Sequence, residues 1–370
     1  MNLKPNRTAF AVAFALLGLG AAATAQADAV ITNGTVTLGV NDLGHLNVPG
    51  PFSAPSGTSI VGLRSNATGS DSTSPGCLCE GWGVAIASVN RAGFANEAGG
   101  TANLSLVSFA STASTATSVT RMTSAAGGAL LEIRHVYTPV AGTPFLYQVA
   151  VGITNLSGQN LAAGDLRYRR VMDWDIPVPG REINSIQGIP ALRGIANGNN
   201  VRYVSNDGFE SSNPLSGNGG IPSTGYPGDN QNFTDNTGDN GALFDFEFEA
   251  LANGETREFA TYYGVAPTFA QADLARALVD GDASDVEIGL YSYGRCHTGT
   301  IGTAPCDGAS TGTGGPNVFI FGFGAVGGVL SPPPDPDPDP DPGVVPVPGT
   351  LALLGLGLVT LAGSRRRVRS

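Results

Sequence analysis

The chain has 370 residues and a formal net charge of −11. Residues 28–330 hold 26 Asp and Glu against 13 Arg, a net of −13, and no lysine follows Lys4; a surface of that sign excludes nucleic acid and anionic lipid as partners. Fifty-three glycines and only 13% charged residues suit short strands joined by many turns, in one large β domain or two small ones.

Met1 to Ala27 reads as a secretory signal peptide. Lys4 and Arg7 supply the positive start, Ala9 to Gly20 the apolar run, and Ala25-Gln26-Ala27 the small residues of a cleavage site before Asp28. The run is too short to span a bilayer permanently. An exported domain over 28–330, passed through the secretion machinery, is therefore predicted.

Within it, apolar and polar residues alternate from Ile31 to Val40, which predicts strand, turn, strand. Gly44 to Ser59 is a Pro- and Gly-rich loop. Gly81 to Val89 is a buried strand with Trp82 as its largest core residue. Leu104–Ser108, Ser118–Thr123, Leu130–Thr138 and Leu146–Asn155 continue the series. Leu131, Ile133, His135 and Tyr137 share one face, so His135 is predicted to pack as a core histidine.

Leu166 to Ile176 is crowded with charge. Asp173 and Asp175 are two apart and in a strand face one side. Paired carboxylates serve acid–base work or hold a cation, and Trp174 between them would serve as a sugar platform. The structural alternative pairs both with Arg167, Arg169 and Arg170. Ala191 to Gly241 is long, polar and rich in Gly and Asn, and reads as a loop. Its Asp229, Asp235, Asn236 and Asp239 are hard oxygen ligands of the kind calcium takes, at a spacing unlike the EF-hand loop; the alternative is a solvated loop. Calcium is the one metal this chain invites, and no cofactor motif is present.

Ala242 to Val265 predicts a hairpin, with Phe244, Phe246 and Phe248 facing one way and Asp245, Glu247 and Glu249 the other, turning at Asn253-Gly254. Thr268 to Asp280 predicts the one helix, capped by Thr268, with Leu274 and Leu278 on its apolar stripe. Val286–Tyr293 and Val318–Phe323 close the domain. The expected fold is mainly β: an antiparallel sandwich with one peripheral helix.

Four cysteines, Cys77, Cys79, Cys296 and Cys306, lie in the exported part, where disulfides are the rule. Three pairings exist. Local bridges, Cys77 with Cys79 and Cys296 with Cys306, are preferred; crossed pairs would tie the first loop to the last. Zinc fits poorly, since the spacings are not those of zinc sites.

Residues 331–343, SPPPDPDPDPDPG, form a linker: alternating Asp-Pro holds extended polyproline II, about 37 Å over twelve residues. Residues 344–370 follow in three parts: Val345-Pro346-Val347-Pro348, an apolar run from Leu351 to Gly363, and Arg365, Arg366, Arg367 and Arg369. Thirteen helical residues reach about 20 Å against roughly 30 Å of hydrocarbon, and the arginines stay on the cytoplasmic side. This order resembles the PEP-CTERM sorting domain of Gram-negative bacteria, with Val347 where that family has Glu. The resemblance implies a tail held transiently in the inner membrane and processed by an exosortase, then release to the cell surface or outside. A plain single-pass anchor is the alternative. Gly254-Glu255-Thr256 with Phe259, Tyr291-Ser292-Tyr293, residues 316–323 and Met172–Pro177 also resemble uncharacterised PEP-CTERM exported β proteins, which brings no known activity.

Two functions follow as expectations. The first is an exported surface or matrix protein without catalysis. The second is a secreted carbohydrate-binding or glycan-active sandwich working through Asp173, Trp174 and Asp175, with extracellular polysaccharide as its partner.

Overall fold

Strict alternation sets the faces of the central strands. In Leu146–Asn155, Tyr147, Val149, Val151 and Ile153 are buried while Gln148, Ala150, Gly152 and Thr154 turn outward. A strand so divided needs an apolar layer on one side only. A computed structural model describes residues 28–51, 59–176, 182–188, 194–195, 200–216, 231–279, 289–296 and 317–331. The signal peptide at 1–27, most of the linker and the tail at 344–370 lie outside the described residues.

Two antiparallel sheets form the sandwich. The larger has nine strands in the order Phe233–Gly238, Glu182–Gln187, Leu290–Cys296, Val318–Ser331, Thr256–Ala266, Leu146–Asn155, Ala129–Pro139, Ala116–Thr123 and Leu104–Ser111. The smaller has six: Val201–Ser205, Gly241–Glu247, Leu166–Asp173, Gly81–Ile86, Arg91–Asn96 and Gly100–Ala102. A three-stranded sheet, Asp28–Thr32, Val36–Asn41 and Leu63–Ser65, adds Ile31, Val36 and Leu38 to the same core.

Aromatic residues fill the space between the sheets. Phe244 and Phe246 of the smaller sheet meet Phe321 and Phe323 of the larger at 5.5 and 4.9 Å between ring centres, and Tyr168 meets Phe259 edge-on at 5.0 Å. Each such side chain, fully buried, contributes about 1.5–3 kcal/mol.

Two expectations about the strands are corrected. Gly241–Glu247 and Thr256–Ala266 do not pair as a hairpin: the first bonds to Leu166–Asp173, the second to Leu146–Asn155 and Val318–Ser331. The turn exists, with Gly254 at φ +86°. It carries the chain from one sheet to the other, because Phe244, Phe246 and Phe248 must face the opposite layer. The stretch 191–241 is not all loop, since Val201–Ser205 and Phe233–Gly238 are strands within it.

The helix, Phe269–Ala277, begins where expected: the Thr268 hydroxyl accepts from the Gln271 N–H at 3.2 Å. Its buried residues are Ala272 and Ala275, whereas Leu274 is 69% and Leu278 59% exposed. The alanines let it lie close on outward residues Ala266, Val318 and Ile320 of the larger sheet.

Candidate functional sites

Leu166–Asp173 runs between Gly241–Glu247 and Gly81–Ile86, so its side chains alternate between the sandwich interior and the outer face of the smaller sheet. Beyond its end, the Trp174 N–H donates to the Asn240 carbonyl at 3.1 Å and the Asp175 N–H to the Ser72 carbonyl at 2.8 Å. Trp174 is fully buried. Its Nε1 donates to Ser292 Oγ at 3.0 Å, and that hydroxyl donates to Asn184 Oδ1 at 2.6 Å. A sugar platform needs an exposed ring face, so Trp174 is not one; it is a core residue joining the two sheets.

Asp173 and Asp175 are 1% and 2% exposed. Asp173 Oδ2 lies 3.3 Å from Cys77 Sγ. Asp175 accepts from the Gly76 backbone, and burial first, then the charges of Asp239 and Asp71, push its carboxyl up to about 7. Asp71 sits in the same loop; burial raises it too, against N–H donors from Gly62 at 2.8 Å and Thr73 at 3.0 Å. The segment around residues 71–79 thus closes over these carboxyls. A buried carboxyl with a raised pKa couples the stability of this segment to pH.

Two of the three arginines expected to neutralise this pair, Arg169 and Arg170, bind elsewhere. Neighbours in a strand point to opposite faces. Arg169 grips Asp245 with two bonds, Nε to Oδ1 at 2.6 Å and Nη2 to Oδ2 at 2.7 Å, and donates to the Ser211 carbonyl. Arg170 points into the sandwich.

There, Arg170 heads a buried polar network that composition alone did not disclose. Its Nε bonds Glu80 Oε1 at 2.8 Å, and Tyr263 from the larger sheet donates to the same oxygen at 2.6 Å. Arg170 also donates to the hydroxyls of Tyr168 and Tyr137 at 3.2 and 3.1 Å. Tyr137 donates in turn to the Gly44 carbonyl at 2.9 Å, and the Leu46 N–H donates to Glu80 Oε2. Burial opposes the guanidinium charge of Arg170, and the partner carboxylate and tyrosines outweigh it, so its pKa stands well above its ordinary value. His135 is the core histidine expected, with Nε2 3.2 Å from Tyr168 Oη and its ring 4.5 Å from that of Trp82. Burial, then Arg170, holds its pKa well below the usual value, so it is neutral. The network pins the Asp42–Leu46 turn to both sheets. The sequence signal was Glu80, a lone acid at the mouth of an apolar strand.

Cys77 and Cys79 are joined to each other, with Cα atoms 5.1 Å apart. Cys306 and the side chain of Cys296 lie outside the described residues, as do Asp229 and the side chain of Asp235. Asp239 is exposed. Among the described residues no group of three or more His, Cys, Asp or Glu is placed to hold a metal ion.

Val345, Pro346, Val347, Pro348 and Arg365, Arg366, Arg367 and Arg369 also fall outside the described residues. Among those described, no helix is long and apolar enough to cross a membrane. Residues 344–367 match the PEP-CTERM protein-sorting motif. No curated protein sequence matches the chain.

Proposed function

Starting from that C-terminal sorting motif, we propose that this is an exported protein whose β domain is the cargo. The secretion machinery passes it through the inner membrane of a Gram-negative bacterium. Its tail holds it there as an anchored intermediate, and an exosortase-like enzyme then processes the tail and releases the domain to the cell surface or the extracellular matrix. The domain does no catalysis of its own.

The match across residues 344–367 carries this reading. Physical chemistry supports it. Four arginines keep the end of the chain on the cytoplasmic side. A run of about 20 Å suits temporary retention better than a permanent span. Pro346 and Pro348 keep the motif extended, the form an enzyme cleft accepts. The Asp-Pro linker holds the folded domain away from the membrane while the tail is handled.

Deleting Leu351–Ser370 tests the reading. The truncated protein is expected to lose its membrane-bound intermediate and to accumulate in the periplasm. An unchanged distribution between membrane, periplasm and outside refutes it.

A further inference from the structure

The helix covers only one end of the larger sheet's outer face. Across Ala129–Pro139, Leu146–Asn155 and Thr256–Ala266 the described residues leave a groove of about 610 Å³ on that face. Register explains its shape. Three rows cross these strands: Glu132–Thr154–Thr256, Arg134–Gly152–Glu258 and Val136–Ala150–Ala260. In the central row the middle strand presents Gly152 between the long side chains of Arg134 and Glu258, and in the next row Ala150 and Ala260 are both small, so a furrow opens there.

Gly152 is not required by the fold. It does not adopt a positive φ. A Cβ built on it would meet only Thr256 Cγ2, at an ordinary 3.6 Å. Glycine in the interior of a central strand weakens it by roughly 0.5–1 kcal/mol relative to alanine. A strand glycine with no positive φ and no crowding at its Cβ position leaves room for another molecule to approach the backbone closely.

The surroundings select that molecule. Arg121 and Glu132 form an ion pair at 2.8 Å, and Arg134 stands opposite Glu258 across Gly152. The strip therefore carries two charges of each sign, a balanced patch on an acidic body, which favours neither a polyanion nor a basic peptide. Its strands lie inside the sheet with backbone groups paired on both sides, so an added peptide strand has no edge to join. The floor of Ala and Gly offers shallow apolar contact, and the walls offer both donors and acceptors. From Thr256 to Tyr262 the furrow runs about 20 Å.

We propose that this furrow binds a neutral polysaccharide chain, seated on Ala150, Gly152 and Ala260 and hydrogen-bonded by Gln148, Arg134 and Glu258. The proposal moves glycan contact from the buried Asp173–Trp174–Asp175 segment to the open sheet face. It does not depend on how the tail is processed.

The test is affinity electrophoresis of the exported protein through gels containing laminarin, dextran or hydroxyethylcellulose, with alginate as the polyanion. Retardation by at least one neutral glucan is expected, and none by alginate. Gly152→Val fills the furrow with a β-branched residue suited to a strand; it should abolish retardation, at least tenfold in apparent Kd, with an unfolding temperature no lower than the parent's. Absence of retardation by all three neutral glucans overturns the proposal, as does unchanged retardation of Gly152→Val. Light scattering that shows a dimer dissociated by Gly152→Val would also overturn it, assigning the face to a second copy of the chain.

Discussion

Arg170 and Glu80 form an ion pair inside the sandwich, Nε to Oε1 2.8 Å, with neither side chain exposed to solvent. Tyr263 reaches the same carboxylate from the facing sheet. Removing one charge leaves the other buried and uncompensated, which costs roughly 3–5 kcal/mol. Glu80→Gln should lower the stability of the domain by that much in urea unfolding. Replacing both, as Glu80→Leu with Arg170→Met, should cost less than the two single changes summed. A loss below about 1 kcal/mol for Glu80→Gln would show that the network does not hold the sheets together.

Asp175 predicts the pH dependence. Its carboxyl rises from an ordinary 3.8 to about 7 because it is buried, near Asp239 and Asp71. A raised pKa means that the folded state binds the proton more tightly than the unfolded state. The contribution is fully present below about pH 4 and is lost as pH rises through 7. Asp175→Asn keeps an acceptor for the Gly76 N–H and never ionises. It should match the parent near pH 3 and exceed it by roughly 2–4 kcal/mol at pH 8. Parallel stability curves from pH 4 to 8 would contradict the burial of this group.

The helix gives predictions of different size at adjacent positions. Leu274 is 69% exposed, so Leu274→Glu should change stability by no more than about 0.5 kcal/mol. Ala275 is 2% exposed against the sheet, and Ala275→Leu should cost about 1–3 kcal/mol through overpacking. Thermal unfolding of the two variants checks this; the reverse order would place the leucine stripe inward.

These contrasts show what alternation reveals and what it leaves hidden. Strands such as Leu146–Asn155 were legible because burial on one face writes a period of two into the chain. Partners were not. Asn253-Gly254 signals a reversal, but nothing local says whether the returning strand joins the same sheet or the opposite one. Helical periodicity pointed to Leu274 and Leu278, while close packing onto a sheet chose Ala272 and Ala275. Arg169 and Arg170 stood beside Asp173 and Asp175 in sequence, yet their partners Asp245 and Glu80 are far along the chain. Trp174 looked like a ligand platform because a flanking pair of acids suggests exposure, and its burial follows from the facing sheet instead. The furrow at Gly152 needs three strands in register, which one strand does not disclose.

The tail carries the central claim, that the protein is exported and then cut. An intact-mass measurement of the protein recovered outside the inner membrane addresses it directly. Processing near Val345-Pro346-Val347-Pro348 predicts a mass that begins at Asp28 and lacks the apolar run and all four arginines of the tail. A mass that includes every residue through Ser370 would contradict it and leave a plain membrane anchor.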